Sequence, residues 1–543
     1  MRLRSFLHPP SERQCFGANL GTTERDRPGY MRRLMSGLAR QLSVPYEWIN
    51  AVTPGRETWE NPDIPSGYAY FAQLVAHDCV FTSVPTGALA ASLGPTKSRR
   101  SSLLRLETIY GEGPDSSPHA FGPRGASHLA RNRLALSDVS PRSTVKGDYV
   151  FRDVARTTAS NSTTGATGGL ASTQLADPRN DVHAAISQMT TLFILLHNRI
   201  ASHIDDVLAR EKFASTEVRN YRVYFVSRSA CENIYRSIVR NDLLPRILHP
   251  AIVDAYSGRK IEFLDPQTLE ALPLEFANAF RFGHAMVRPS YVFNDFNSYG
   301  EDLVDMMLST SAARPWRMPL DETWMAQWSH FFEMNGSKPN LSRRIGPQLS
   351  GGLFSGEVFG AIDQTGSVGL GYRDLLNGAF VAMWSVTALA DELRRRRPHL
   401  AGFSPLLLDH QLRASRIRAW LGRHQIASGL RAEDIEHLAA DPPLFLYVLF
   451  EAAHDMDGRR LGVLGSIILA ETLYRALHDV ASPSGAPTDQ PEGLLEDVCE
   501  IALGSRDKAA SIKPCIPEIN SMAEMITFVA RQFEVGAGTM PFI

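Results

Sequence analysis

The sequence predicts a mainly α fold built as a single large helical domain with few short strands. Apolar residues recur at spacings of three and four over long stretches, alternating or β-branched runs are few, and internal repeats are not visible. The clearest stretch begins at Ala184, where Ile186, Met189, Phe193, Leu196, Ile200 and Ile204 line one face of a long helix. Further helical patterns cover residues 218–239, 273–286, 372–397, 406–424, 443–455 and 464–480. Residues 1–59 are rich in Arg, Pro and Gly with one amphipathic stretch over 31–42, and read as an N-terminal arm lying on the main body at 60–480. Residues 481–543 read as a C-terminal extension packed on the same domain. The run SNSTTGATGGLAS over 160–172 is poor in apolar residues and reads as a mobile surface loop.

Composition sets wide bounds. The 543 residues, 44% hydrophobic and 21% charged, bury a sizeable core and are neither disordered nor collagen-like. Lys and Arg number 56 against 58 Asp and Glu, a net charge of −2, so nothing in the overall charge favours nucleic acid or an anionic membrane. Five scattered cysteines without a C-x-x-C pair suggest reduced thiols rather than a disulfide framework or a zinc site. No segment has the apolar length of a membrane span or a signal peptide, which leads to the expectation of a soluble, cytoplasmic protein.

Three segments, two of them bearing a histidine, could carry chemistry: 70–78 (YFAQLVAHD), 176–181 (ADPRND) and 280–284 (FRFGH). Taken singly, any of the sixteen histidines is more simply a core or surface residue. Taken in order, the segments are informative. NPDIPSGYAYFAQLVAHD resembles the distal-histidine segment of the animal-type haem peroxidases, especially their bacterial branch. ADPRNDVHAAISQMTTLFILLHNRIA is similar to the second family segment, with Arg179 and His197-Asn198-Arg199 at the matching offset, and FRFGHAMVRPSY is similar to the proximal-histidine helix. Weaker similarity continues through IVRNDLLPRIL, LGYRDLLNGAF and the segment ending AETLY, so the resemblance spans roughly residues 60–480.

The resemblance implies a site. His284 matches the axial ligand of a haem iron, leaving the opposite face open to peroxide. His77 matches the distal histidine, which takes a proton from the inner peroxide oxygen and returns it to the outer one. Arg179 matches the distal arginine, a fixed positive charge where the breaking O–O bond becomes negative. Gln73, four residues before His77 and on the same helical face, matches the distal glutamine that binds water or halide over the iron. Arg281 would face a haem propionate. Asp374 lies where the family usually keeps an asparagine that accepts from the proximal imidazole N–H, and a carboxylate there would push electron density towards iron. Asn377 occupies a place where relatives carry a propionate-binding arginine.

Departures from the family pattern matter as much. The two positions whose carboxylates form haem esters in mammalian members are Ala76 and Val182 here, which implies haem b held without covalent links. Asp181 stands one residue away, but one step along a helix turns a side chain by about 100°. Asp78 keeps the carboxylate of the family's calcium site, whereas the partner loop carries Arg105 at a usually acidic position; this leads to the expectation of a damaged calcium loop with an Arg105–Asp78 ion pair in its place. The dioxygenase relatives place a radical-forming tyrosine three residues before the proximal histidine, where this chain has Arg281. The expected function is therefore a peroxidase that cleaves hydrogen peroxide and oxidises a small organic, aromatic substrate or a halide. Three other readings stand beside it: a specialised biosynthetic haem oxidase or oxygenase on the same scaffold, a non-enzymatic haem-binding protein, and a metal-dependent hydrolase using His77-Asp78.

Overall fold

Helices form where apolar residues recur at helical spacing, because burying one continuous stripe offsets the entropy of ordering the chain. The structure, a computed structural model, describes residues 2–18, 27–43, 59–81, 98–122, 131–139, 151–159, 170–258, 263–264, 271–296, 299–478 and 491–531. Helix α1 (Arg27–Leu42) buries Met31, Leu34, Met35 and Leu38. Helix α2 (Gly67–Cys79) is buried on most of its surface, and its close entry requires Gly67: a Cβ there would lie 2.5 Å from the Phe332 ring. Helix α3 (Ala184–Leu208) buries Ile186, Met189, Phe193, Leu196, Ile200 and Ile204, the residues its spacing singles out. It packs along α4 (Thr216–Ile238) and against α2.

The second half of the chain completes the enclosure. Helix α5 (Leu274–Ala279) runs directly into a 3-10 turn over Phe280–Met286, which faces α2. It is followed by α6 (Leu370–Ala379), α7 (Val386–Arg396), α8 (His410–Arg423), α9 (Leu444–Asp455) and α10 (Val463–His478). Helices α11 (Pro491–Leu503) and α12 (Met522–Ala530) pack on α4 and α3 respectively. One apolar cluster extends from Phe6 to Ala530. Strands among the described residues come only in two-stranded pairs; Arg2–Arg4 runs parallel to Ala271–Pro273 and so ties the N-terminal segment to the start of α5. No helix among the described residues is long and apolar enough to cross a membrane.

Three sequence expectations need correction. The pattern over 372–397 is two helices, because residues 380–385 leave the helix: the Trp384 N–H donates to Glu275 Oε1 at 2.9 Å, and Ser385 caps α7 by accepting from the Ala388 N–H. The pattern over 406–424 is likewise broken at Asp409, whose carboxylate accepts from the Gln411 and Leu412 N–H groups and starts α8 afresh. Of the expected loop over 160–172, residues 160–169 lie outside the described residues, while Leu170–Thr173 forms an antiparallel ladder with Arg156–Ala159. Backbone pairing supplies there what side-chain composition does not.

Helix α6 begins at a constrained point. Gly369 has φ +101°, and a Cβ on it would stand 2.7 Å from Phe354 Cδ1 and 2.9 Å from Phe354 Cα. Gly369→Ala combines a left-handed backbone with a collision against main chain, and is expected to lower unfolding free energy by about 2 kcal/mol in a urea titration. An unchanged midpoint would mean that the start of α6 is not held in this conformation.

Candidate active site

Helical spacing places Tyr70, Gln73 and His77 on one face of α2. His77 Nδ1 lies 2.9 Å from Asn180 Oδ1. The Asn180 amide nitrogen donates to Thr108 O and Oγ1, each at 3.1 Å, so it is the amide oxygen that faces the imidazole. His77 therefore carries its proton on Nδ1 and keeps the Nε2 lone pair. Burial, reinforced by the Arg179 charge, lowers the His77 pKa to about 4, so the ring is neutral at neutral pH.

Arg179 and Asn180 sit on a 3-10 turn over Pro178–Asp181, capped by Asp177. The Arg179 guanidinium pairs with Asp177 (Nη2 to Oδ2, 2.7 Å) and donates to His77 O at 2.8 Å and Val80 O at 2.6 Å, the carbonyl end of α2. Its plane lies 4.2 Å from the centroid of the Phe81 ring. Arg100 makes a parallel set of bonds: it pairs with Asp177, and its Nε and Nη2 donate to His77 O at 3.1 and 2.8 Å. Burial alone would raise the Asp177 carboxyl, but hydrogen bonds and charge from Arg179, with Arg100 behind it, hold it below its ordinary value. Arg179 thus reaches the distal segment with most of its donors already committed.

Gln73 is also engaged. Its Oε1 lies 2.9 Å from Nε2 of His183, the residue that caps α3. His183 is buried and electrostatically close to both His77 and His284, which lower its pKa after burial itself, to about 3.

His284 stands on the 3-10 turn after α5, which packs against α2, and Asp374 is fully buried on α6. His284 Nδ1 lies 2.6 Å from Asp374 Oδ2, and Arg281 Nη1 donates to Asp374 Oδ1 at 2.8 Å. Burial works against ionisation of Asp374, yet the His284 imidazole and then the Arg281 guanidinium keep its pKa below the usual carboxylate range. The carboxylate accepts from Nδ1–H, so the Nε2 lone pair of His284 is the one left for a metal. Arg281 is thereby turned partly towards Asp374, although its Nε is buried without a partner. Asn377 is buried one turn beyond Asp374 and makes no hydrogen bond to His284, Arg281 or Asp374.

The carboxylates bordering the site are occupied, and one expected pairing is absent. Asp78 accepts from the Leu106 and Thr108 N–H groups at 2.9 and 3.1 Å, while Arg105 pairs with Glu232 at 3.0 Å. The expected Arg105–Asp78 ion pair is replaced because the loop presents its amides, and not the guanidinium, to Asp78. Among the described residues no group of three or more His, Cys, Asp or Glu is arranged to hold a metal ion. Asp181 accepts from Arg156 at 2.8 Å, the Ser311 N–H at 3.0 Å and the Ser187 hydroxyl at 2.8 Å.

The structure therefore groups His77 with Arg179 and Asn180, His284 with Arg281 and Asp374, and Gln73 with His183, which lies within electrostatic reach of both His77 and His284. Sequence reasoning missed Arg100, Asp177, Asn180 and His183. Only His183 carried a local signal, a polar side chain directly before a long apolar helix.

This arrangement fits a haem. His284 offers an oriented lone pair, Arg281 Nε is a buried donor without an acceptor, and apolar Val182 on the distal segment is 45% exposed. The family described as animal haem peroxidase matches residues 131–363, which include Arg179, Arg281 and His284. Among solved structures, peroxidase A from Dictyostelium discoideum is similar at 13% identity and a TM-score of 0.56, covering 100% of this chain and 94% of that one. The Oryza sativa fatty acid alpha-dioxygenase is similar at 10% identity and a TM-score of 0.53, covering 94% of this chain and 80% of the other. The Arabidopsis thaliana fatty acid alpha-dioxygenase shows 12% identity and a TM-score of 0.52, with coverage of 94% and 76%. A search of curated proteins found no match. The animal haem peroxidase match thus takes in Arg179, Arg281 and His284, and the chain shares its mainly α fold with these three solved structures.

Proposed function

We propose that this protein is an enzyme of the haem peroxidase type, which binds haem b without covalent links, reduces hydrogen peroxide and oxidises a small organic, aromatic substrate or a halide. The carrying observation is the pair of histidines with opposite dispositions: His284 bonded to an ionised Asp374, His77 neutral and oriented by Asn180. Haem, when bound, would supply the two electrons that reduce peroxide and would regain them from the reductant. His284 would hold the iron through Nε2, and Asp374, accepting from Nδ1–H, would make that nitrogen a stronger donor. His77 Nε2 takes the proton from one peroxide oxygen and returns it to the other, so that water leaves. Arg179, fixed at the end of the same helix, supplies positive charge beside that transfer. Arg281 Nε serves as a propionate donor, and Asn377 lies on the same side.

Absence of ester links is supported by Ala76 and Val182 at the two positions where mammalian relatives carry carboxylates, and by the full occupation of Asp181. Asp78 acts as a backbone clamp in place of a calcium ligand. We read residues 60–480 as the catalytic domain, with 1–59 as an arm and 481–543 as an extension. A specialised oxidase is the second reading, favoured by the fold shared with the two plant dioxygenases. Arg281 at the third residue before His284 weighs against tyrosyl-radical dioxygenation.

Purified protein loaded with haem is expected to show a Soret band that shifts on adding peroxide. His284→Ala should abolish the band or move it to that of a weakly ligated haem, whereas His77→Ala should retain it and slow the peroxide reaction by about 10²- to 10⁴-fold in stopped flow. A wild-type band that ignores peroxide would overturn the assignment.

The pH profile has a defined sign. His77 must be neutral to accept a proton, and its pKa is about 4, so the peroxide rate should be flat near neutrality and fall as pH drops through about 4. Arg179→Gln removes a positive charge that disfavours the imidazolium, so its inflection should move to higher pH. A downward movement would show that Arg179 does not act on His77 electrostatically.

Asp374→Asn replaces the ionised acceptor with a neutral one. The ferric/ferrous potential, followed spectroelectrochemically, is expected to move in the positive direction by on the order of 60 mV, the one-electron equivalent of a tenfold change. No movement would mean that Asp374 does not tune the iron through His284.

A further inference from the structure

His183 is a histidine that neither the haem assignment nor the peroxide chemistry uses, yet it lies between the residues that do. It is 8% exposed, its ring packs 5.3 Å from that of Tyr70, and both nitrogens are spoken for. Nδ1 accepts from the Ile186 N–H at 3.1 Å, as the N-cap of α3. An Nδ1 that accepts has no proton, so in the neutral ring Nε2 must be the N–H, and it donates to Gln73 Oε1 at 2.9 Å. A ring this strongly held neutral keeps that tautomer across the working pH range.

The consequence falls on Gln73. A carboxamide on a half-buried helix face is free to present either its oxygen or its nitrogen, and the two choices offer a ligand opposite hydrogen-bonding characters. With Oε1 held by His183, the oxygen is taken. The amide N–H₂ has no acceptor among the described residues, and Gln73 retains solvent access. We infer that His183 is a positioning residue: by holding Gln73 Oε1 it makes Gln73 a hydrogen-bond donor towards a ligand bound on the His77 side of the haem. The ligands favoured are hydrogen-bond acceptors, a small anion or a peroxide oxygen, over neutral donors. This rests on the reading of the His77 side as the peroxide-binding face.

Two substitutions separate positioning from capping. In His183→Asn, Oδ1 replaces Nδ1 as the cap acceptor but nothing reaches Gln73; in His183→Gln, Nε2 still reaches Gln73 but the cap is lost. Fluoride, a small acceptor anion, is titrated into each haem-loaded protein and followed in the visible spectrum, with thermal unfolding measured alongside. His183→Asn is expected to unfold near the wild-type temperature while its fluoride Kd rises about fivefold, the ratio one buried hydrogen bond supports. His183→Gln should unfold at lower temperature and return the Kd to within about twofold of wild type. In a Gln73→Leu background, adding His183→Asn should leave the fluoride Kd unchanged. Unchanged fluoride affinity in His183→Asn, failure of His183→Gln to restore it, or a further loss in the Gln73→Leu background would overturn the inference while leaving the haem assignment intact. A wild-type protein without a Soret band would overturn both.

Discussion

Asp177 is a fully buried carboxylate, and the arrangement of the distal half depends on how its charge is met. Removing a carboxylate from water is costly unless charge and hydrogen bonds replace the lost hydration. Arg179 and Arg100 both pair with it, and both also donate to the His77 carbonyl, so one carboxylate couples the segment around residue 100, the end of α2 and the turn leading to α3. The two guanidiniums also donate to carbonyls at the C-terminal end of α2, both to His77 O and Arg179 to Val80 O as well. Losing one member of such a buried set typically costs about 3–5 kcal/mol, because the remaining charges are left without compensation.

Within that frame three histidines are set apart by their neighbours, and the roles proposed for them rest on that difference. His77 meets a neutral amide oxygen, which fixes its tautomer without favouring protonation, and burial beside Arg179 keeps it uncharged. His284 meets an ionised carboxylate, which increases the donor strength of its other nitrogen. His183 meets a backbone N–H on one side and an amide oxygen on the other, and so transmits orientation to Gln73. The proposed base, ligand and positioning group differ in what faces Nδ1.

Asp374 shows why departures from a family pattern need coordinates. With Arg281 on one oxygen and His284 on the other, the buried charge is matched by a cation and a hydrogen-bond donor. A carboxylate at this place is thus stable as an anion, but it draws on a guanidinium that the sequence comparison had assigned to haem. Arg281 is consequently paired with Asp374 through Nη1, while its buried Nε has no partner within the protein.

The helices were legible in the sequence because amphipathic spacing is a local property: α3 buries each of the six residues that its period singled out. Breaks were less legible, since Asp409 and Ser385 interrupt periodic runs by capping, which competes with continuation only once neighbours are in place. Ordered motifs also singled out His77, Arg179, Gln73, His284, Arg281 and Asp374 as candidates. Their pairings were not. Asp374 lies 90 positions from His284, and Asn180 lies 103 from His77. Arg105 and Arg100 are equally plausible partners for a nearby carboxylate on paper, and only packing sent one to Glu232 and the other to Asp177. The sequence alone determined which side chains are available and on which helical faces they stand, because both follow from residue type and period. Tertiary structure decided which nitrogen of each histidine carries the proton and which guanidinium meets which carboxylate, because those depend on donors and acceptors brought together from distant segments in a space closed to water.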